Sequence, residues 1–134
     1  NIYCDPVAAN YVFSSGIEIK LCGLDITRGT SVRKEEADWI LGSSSEEKLI
    51  RQLIVAVFEK NPKRESFSLH DPVAVLSVLH PELIEWKMFN VSVASSGPEF
   101  GRTIGSVAED GLVAVGVNIN EQKAKERVAE ILAT

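Results

Sequence analysis

Ser66-Phe67-Ser68-Leu69-His70-Asp71-Pro72-Val73-Ala74-Val75-Leu76 is the stretch on which the fold turns. A short extended run, Ser66 to Leu69, leads into His-Asp-Pro, and an apolar segment through Val75, Leu76 and Leu79 follows as a buried helix. Asp71 before Pro72 is an N-cap pattern. An Asp carboxylate accepts from the free N–H groups of a first helical turn, and proline fits the first helical position. The same punctuation stands at Asp5-Pro6-Val7-Ala8-Ala9, which opens a helix to about Phe13 that Ser14-Ser15-Gly16 closes.

Ile2 to Cys4 reads as a short strand before the helix that Asp5-Pro6 opens. Ile17 to Leu24 alternates, with Ile17, Ile19, Leu21 and Gly23 on one face, and is expected to be a strand. Thr27 to Val32 reads as a polar loop and Lys34 to Leu41 as a short helix stopped by Gly42-Ser43-Ser44-Ser45. Glu46 to Lys60 is the longest helix, with Leu49, Leu53, Ala56 and Val57 at helical spacing and Asn61-Pro62 at its end. His80-Pro81 reads as a helix stop. Strands are expected over Ile84 to Ala94, Arg102 to Val107 and Leu112 to Ile119, the last with Leu112, Ala114, Gly116 and Asn118 on one face. Glu121 to Leu132 is a terminal helix with Ala124, Val128, Ile131 and Leu132 inward. Strands alternating with helices imply an α/β sheet covered by helices, with an antiparallel extension in the second half.

The 134 residues fit one domain or a piece of a larger one. Apolar residues make up 45% and charged residues 25%, an ordinary soluble composition. A net charge of −5 argues against nucleic acid or an anionic membrane as a partner, since both need a basic face. No apolar run reaches the ~20 residues of a membrane span. Cys4 and Cys22 are too few for a disulfide framework and sit in apolar runs, so buried free thiols in a reducing, cytoplasmic setting are expected. The chain starts at Asn1 in what reads as mid-strand, and is expected to be a fragment of a longer protein.

In open α/β sheets, ligands bind where strands end and helices begin. Two such junctions carry polar residues, Tyr3-Cys4-Asp5-Pro6 and Leu69-His70-Asp71-Pro72. The second holds more chemistry. A histidine can protonate a leaving group near neutral pH, and an aspartate offers a hard oxygen to Ca²⁺ or Mg²⁺. Capping alone also accounts for Asp71, and still more readily for Asp5. Trp39 and Trp86 read as packing residues. Glycine-rich phosphate loops and a nucleophile elbow are absent from the sequence.

Asn1-Ile2-Tyr3-Cys4-Asp5-Pro6-Val7-Ala8-Ala9 resembles the segment of inosine-uridine-preferring nucleoside hydrolases that runs Asn, three variable residues, then Asp-Pro-x-Ala-Ala. Val12 to Ile17 followed by Leu24-Asp25-Ile26-Thr27 resembles the next helix, strand and loop. Leu69-His70-Asp71-Pro72-Val73-Ala74 resembles the family's late His-Asp-Pro site, and Gly101-Arg102-Thr103 and Val115-Gly116-Val117 its closing strands. The resemblance covers nearly the whole chain in order. It implies part of an open, mostly parallel sheet with flanking helices, incomplete at the N-terminal side, within a single domain of which residues 1–134 are the C-terminal part. It implies hydrolysis of the N-glycosidic bond of ribonucleosides to ribose and free base. Asn1 corresponds to an asparagine that binds ribose hydroxyls, His70 to the residue near the departing base, and Asp71 to a late carboxylate that faces ribose and ligates Ca²⁺.

The family's aspartate-rich N-terminal loop and the acidic ribose-binding position before Asn1 do not occur here. One carboxylate cannot satisfy Ca²⁺, which takes ~6–8 oxygens, so these residues alone are expected to be inactive without the missing N-terminal segment. The full-length protein is expected to bind Ca²⁺ and a small ribonucleoside and to be a homo-oligomer. The competing expectation is a catalytically dead binding or structural fragment of the same fold. Asn1, His70 and Asp71 are expected on one sheet edge, with Asp71 also capping the helix that begins at Pro72.

Overall fold

Asp5 accepts the Ala8 N–H at 2.9 Å, and Pro6 takes the first position of helix α1 (Pro6–Phe13). The sequence pattern is thus realised in the computed structural model, which describes residues 1–36 and 43–132. The chain divides into two compact units, Asn1–Leu21 with Glu85–Val117, and Cys22–Ile84 with Asn118–Thr134.

The first unit is built on a four-stranded sheet. Its strands are β1 (Ile19–Leu21), β4 (Ile84–Val93), β5 (Thr103–Val107) and β6 (Val113–Ile119), in the order β1-β6-β4-β5. β1 runs parallel to β6, with Ile19 opposite Val113, and β4 runs antiparallel to β5, with Phe89 opposite Val107. α1 supplies Phe13 to a core with Val93 and Val113, onto which Ile19, Leu21 and Val115 pack. The turn between β4 and β5 closes with the Gly101 N–H donating to the Ala94 carbonyl at 2.7 Å. Gly101 has a φ of 77°, and a Cβ there would run into the Tyr3 ring, so both backbone and space call for glycine.

The second unit contains α2 (Leu24–Thr27), β2 (Ser31–Arg33), α3 (Ser45–Lys60), β3 (Ser66–Ser68), α4 (His70–Leu79) and α5 (Glu121–Leu132). β2 and β3 pair antiparallel, with Val32 opposite Phe67. α3 starts in a capping box. The Ser44 hydroxyl accepts the Glu47 N–H at 3.2 Å, and the Glu47 carboxylate accepts the Ser44 N–H at 2.7 Å. Ile54 and Phe58 of α3 pack with Ile50 and Phe67. α4 packs on α2 and α5, burying Val73 and Leu76, while α5 buries Ala124 and Val128. The result is the expected α/β class, an open sheet of mixed sense with flanking helices.

Several expectations are corrected. Ile2–Cys4 is a 3-10 turn and not a strand, because the Cys4 N–H bonds the Asn1 carbonyl at 3.0 Å and curls the chain. Cys4 is consequently exposed and Cys22 half-buried, so neither is a fully buried thiol. The strand at Ile17 to Leu24 shrinks to Ile19–Leu21, Leu24 instead opens α2, and of the loop expected over Thr27 to Val32, Thr27 ends α2 while Ser31 and Val32 lie in β2. Of the helix expected over Lys34 to Leu41, Lys34–Glu36 is a 3-10 turn; the remainder, with Trp39, lies outside the described residues. On α3 the inward row is Ile50, Ile54 and Phe58, while Leu49 and Leu53 are exposed. On β6 the core takes Val113 and not the Leu112 face, and on α5 Ile131 is exposed.

Candidate active site

β3 delivers the chain to α4 through Leu69. Its side chain is buried, its N–H donates to the Thr30 carbonyl at 2.9 Å, and its carbonyl accepts the Val73 N–H at 3.0 Å. Burial and backbone bonding together place Leu69 at the N-cap position, so α4 begins at His70. This corrects the expected cap. Asp71 lies inside the first turn, no side chain caps the helix, and Pro72 falls at the third position, where its missing N–H again costs no helical bond.

His70 and Asp71 are therefore the first two residues of α4, and both are exposed. Asp71 sits at the positive end of the α4 dipole, where a carboxylate is favoured. His70 reaches back through Nδ1 to the Thr27 hydroxyl, at 2.8 Å. Thr27 ends α2 and is buried. Sequence reasoning missed this residue. It placed Thr27 at the start of a loop, and no local pattern pairs side chains 43 positions apart.

The structure brings His70 and Asp71 together in the second unit. Asn1 belongs to the first unit, where it is exposed and precedes the 3-10 turn. His80 ends α4, and its Nδ1 lies 3.1 Å from Glu82 Oε1. The Glu82 carboxyl is held below the usual range mainly by its own backbone N–H and further by His80. His80 and Glu82 form a helix stop, as the His-Pro pattern suggests.

A Ca²⁺ site needs several converging oxygens. Among the described residues no three His, Cys, Asp or Glu side chains converge in that way. The described residues do not amount to a Ca²⁺ site. Among the described residues no helix is long and apolar enough to cross a membrane.

The strand that leads into His70 and Asp71 is β3 of the two-stranded β2–β3 sheet, and the pair opens α4 directly after it. The chain belongs to the inosine-uridine preferring nucleoside hydrolase family, whose profile matches residues 1–132. The non-specific ribonucleoside hydrolase RihC of an Escherichia coli O127:H6 strain is 31% identical over 139 residues, covering 99% of this chain and 45% of the relative. The pyrimidine-specific ribonucleoside hydrolase RihA of Photobacterium profundum is 35% identical over 88 residues, 62% of this chain and 28% of the relative. Among solved structures, the purine-preferring ribonucleoside hydrolase from Gardnerella vaginalis matches with a TM-score of 0.79 and 27% identity, over 98% of this chain and 46% of that one. The plant nucleoside hydrolase PpNRh1 matches in fold with a TM-score of 0.86 at 22% identity, over 98% and 46%. This chain thus spans under half the length of RihC or of either solved structure.

Proposed function

We propose that the protein acts in ribonucleoside hydrolysis, cleaving the N-glycosidic bond to ribose and free base, with His70 facing the departing base. The observation that supports this is the exposed His70-Asp71 pair opening α4 directly after β3, in a chain related over 99% of its length to a ribonucleoside hydrolase. A heterocyclic anion is a poor leaving group, and protonation by a positioned imidazole removes that difficulty. As the bond breaks, positive charge builds on the ribosyl ring, and a nearby carboxylate such as Asp71 stabilises it.

Asn1 is assigned to ribose hydroxyls and Asp71 to ribose and to one ligand position of a Ca²⁺ ion in a protein of the relatives' length. The named relatives range from non-specific to pyrimidine-specific and purine-preferring, so the assignment here is to ribonucleosides as a class. A cytoplasmic, homo-oligomeric salvage enzyme completes the reading.

Since the described residues gather no group of three metal-ligating side chains, the proposal includes that these 134 residues do not turn over nucleoside by themselves. The test is ribose release from inosine and uridine, with Ca²⁺, by this chain and by a protein of the relatives' full length that carries it. Release by the longer protein alone is expected. A longer protein that binds nucleosides without cleaving any would establish the binding-fragment reading instead.

A further inference from the structure

Thr27 is 2% exposed, and its hydroxyl lies 2.8 Å from His70 Nδ1. A buried hydroxyl needs an acceptor for its proton. Among the described residues, Nδ1 is the hydrogen-bond partner that the Thr27 side chain has. The support beneath Thr27 is itself fixed. Thr30 is fully buried and donates its hydroxyl to the Thr27 carbonyl at 2.9 Å. The Thr30 carbonyl in turn accepts the N–H of Leu69, the residue before His70, at 2.9 Å. His70 is thus tied twice to the Thr27–Thr30 segment, once through its ring and once through the backbone of its neighbour.

We propose that Thr27 is the positioning residue for His70: its hydroxyl donates to Nδ1, and the neutral imidazole so held carries its proton on Nε2. This deepens the reading of His70 as the group facing the departing base and rests on it. With Nδ1 engaged by the buried hydroxyl, Nε2 is the working nitrogen, and in the neutral ring it is a donor.

His80 provides the contrast within the same chain. Its Nδ1 faces a Glu82 carboxylate oxygen at 3.1 Å, and an ionised carboxylate only accepts. The neutral His80 ring therefore carries its proton on Nδ1, the opposite tautomer.

The experiment is a long-range ¹H–¹⁵N correlation spectrum of the ¹⁵N-labelled chain at alkaline pH, with the two rings assigned through His80→Gln. His70 is expected to be protonated on Nε2 over Nδ1 by roughly tenfold, the ratio that a net hydrogen bond of this kind supports. Thr27→Ser keeps that ratio. Thr27→Val, of the same shape without the hydroxyl, lowers it severalfold. A His70 ring protonated on Nδ1, or averaging both tautomers, overturns the proposal in the unsubstituted chain alone. So does an unchanged ratio in Thr27→Val. Should Thr27→Val not fold, as the backbone spectrum would show, Thr27→Ala replaces it and the unsubstituted spectrum still decides. The spectrum needs no turnover, so a protein that cleaves no nucleoside leaves the tautomer result standing, and the wrong tautomer leaves cleavage to its own assay.

Discussion

Asn10 grips the backbone of Val93 with both ends of its amide. Nδ2 donates to the Val93 carbonyl at 2.7 Å, and Oδ1 accepts the Val93 N–H at 2.7 Å. The two residues are 83 positions apart, one on α1 and the other at the end of β4, and Val93 is buried. The amide does for Val93 what a neighbouring strand would do, pairing both its backbone groups.

Asn10→Ala leaves that donor and acceptor without partners at a partly buried place. The expected cost is about 1–3 kcal/mol, read as a lower urea midpoint by circular dichroism. Asn10→Asp keeps the acceptor but sets a carboxylate against the Val93 carbonyl, and is expected to cost at least as much at neutral pH. An unchanged midpoint in both variants would show that the paired geometry contributes nothing.

Two glycines make a matched pair of opposite outcomes. A Cβ at Gly111 would lie 2.6–2.7 Å from the Phe89 backbone, which cannot yield without moving β4. Gly111→Ala is expected to destabilise by about 1–3 kcal/mol, the usual cost of overpacking. At Gly29 the obstacle is the side chain of exposed Glu121, which can swing into solvent. Gly29→Ala is expected to leave the thermal midpoint within a degree or two, about the effect of an ordinary surface change.

Glu82 gives a pH-dependent outcome. Its carboxyl titrates below the usual range, chiefly because its own backbone N–H bonds the ionised form and secondly because of His80. A depressed carboxylate contributes stability above its unfolded value and loses it as pH falls through the folded value. The Glu82 side-chain carbonyl followed by ¹³C NMR should show a midpoint below that of an unfolded glutamate. His80→Ala should move it only part of the way back, since the backbone donor remains. A full return would make His80 the principal cause.

His70→Ala, in a protein of the relatives' full length, should lower turnover of natural ribonucleosides by ~10²–10⁴-fold, the usual worth of general acid help. A nitrophenyl riboside, whose aglycone leaves without protonation, should be nearly spared. Equal losses on both substrates would assign His70 to holding the sugar. Thermal unfolding of the same variant separates either result from a packing defect.

Punctuation was the legible part of the fold. Asp5-Pro6 and Asn61-Pro62 mark helix boundaries because proline and a short acceptor act locally. Faces were harder to read. α3 is apolar on more than one side over Ile50 to Phe58, so periodicity alone could not choose Ile54 over Leu53. Leu112 and the start of β6 run Leu-Val-Ala-Val with no polar alternation, and the inward row was read one residue off. At the candidate site, His70 and Asp71 were legible as a polar pair after a strand. The start of α4 was not, because the burial of Leu69 and its bond to Thr30 outweigh the local Asp-Pro signal. Thr27 was illegible as the partner of His70, since tertiary packing alone brings α2 to α4.

The parallel pairing of β1 with β6 and the Asn10–Val93 grip set a clock on folding. Both join the first 21 residues of the first unit to strands that follow a long intervening segment. Closing a loop of that length costs about 4 kcal/mol of chain entropy before any contact offsets it. Refolding from denaturant should therefore show helical signal from local segments such as α3 first. The first unit should close later, on the ms–s scale of topologies dominated by distant pairings. Until then α1 has no sheet to rest on, and a protease present early in refolding should find the first 21 residues before any others.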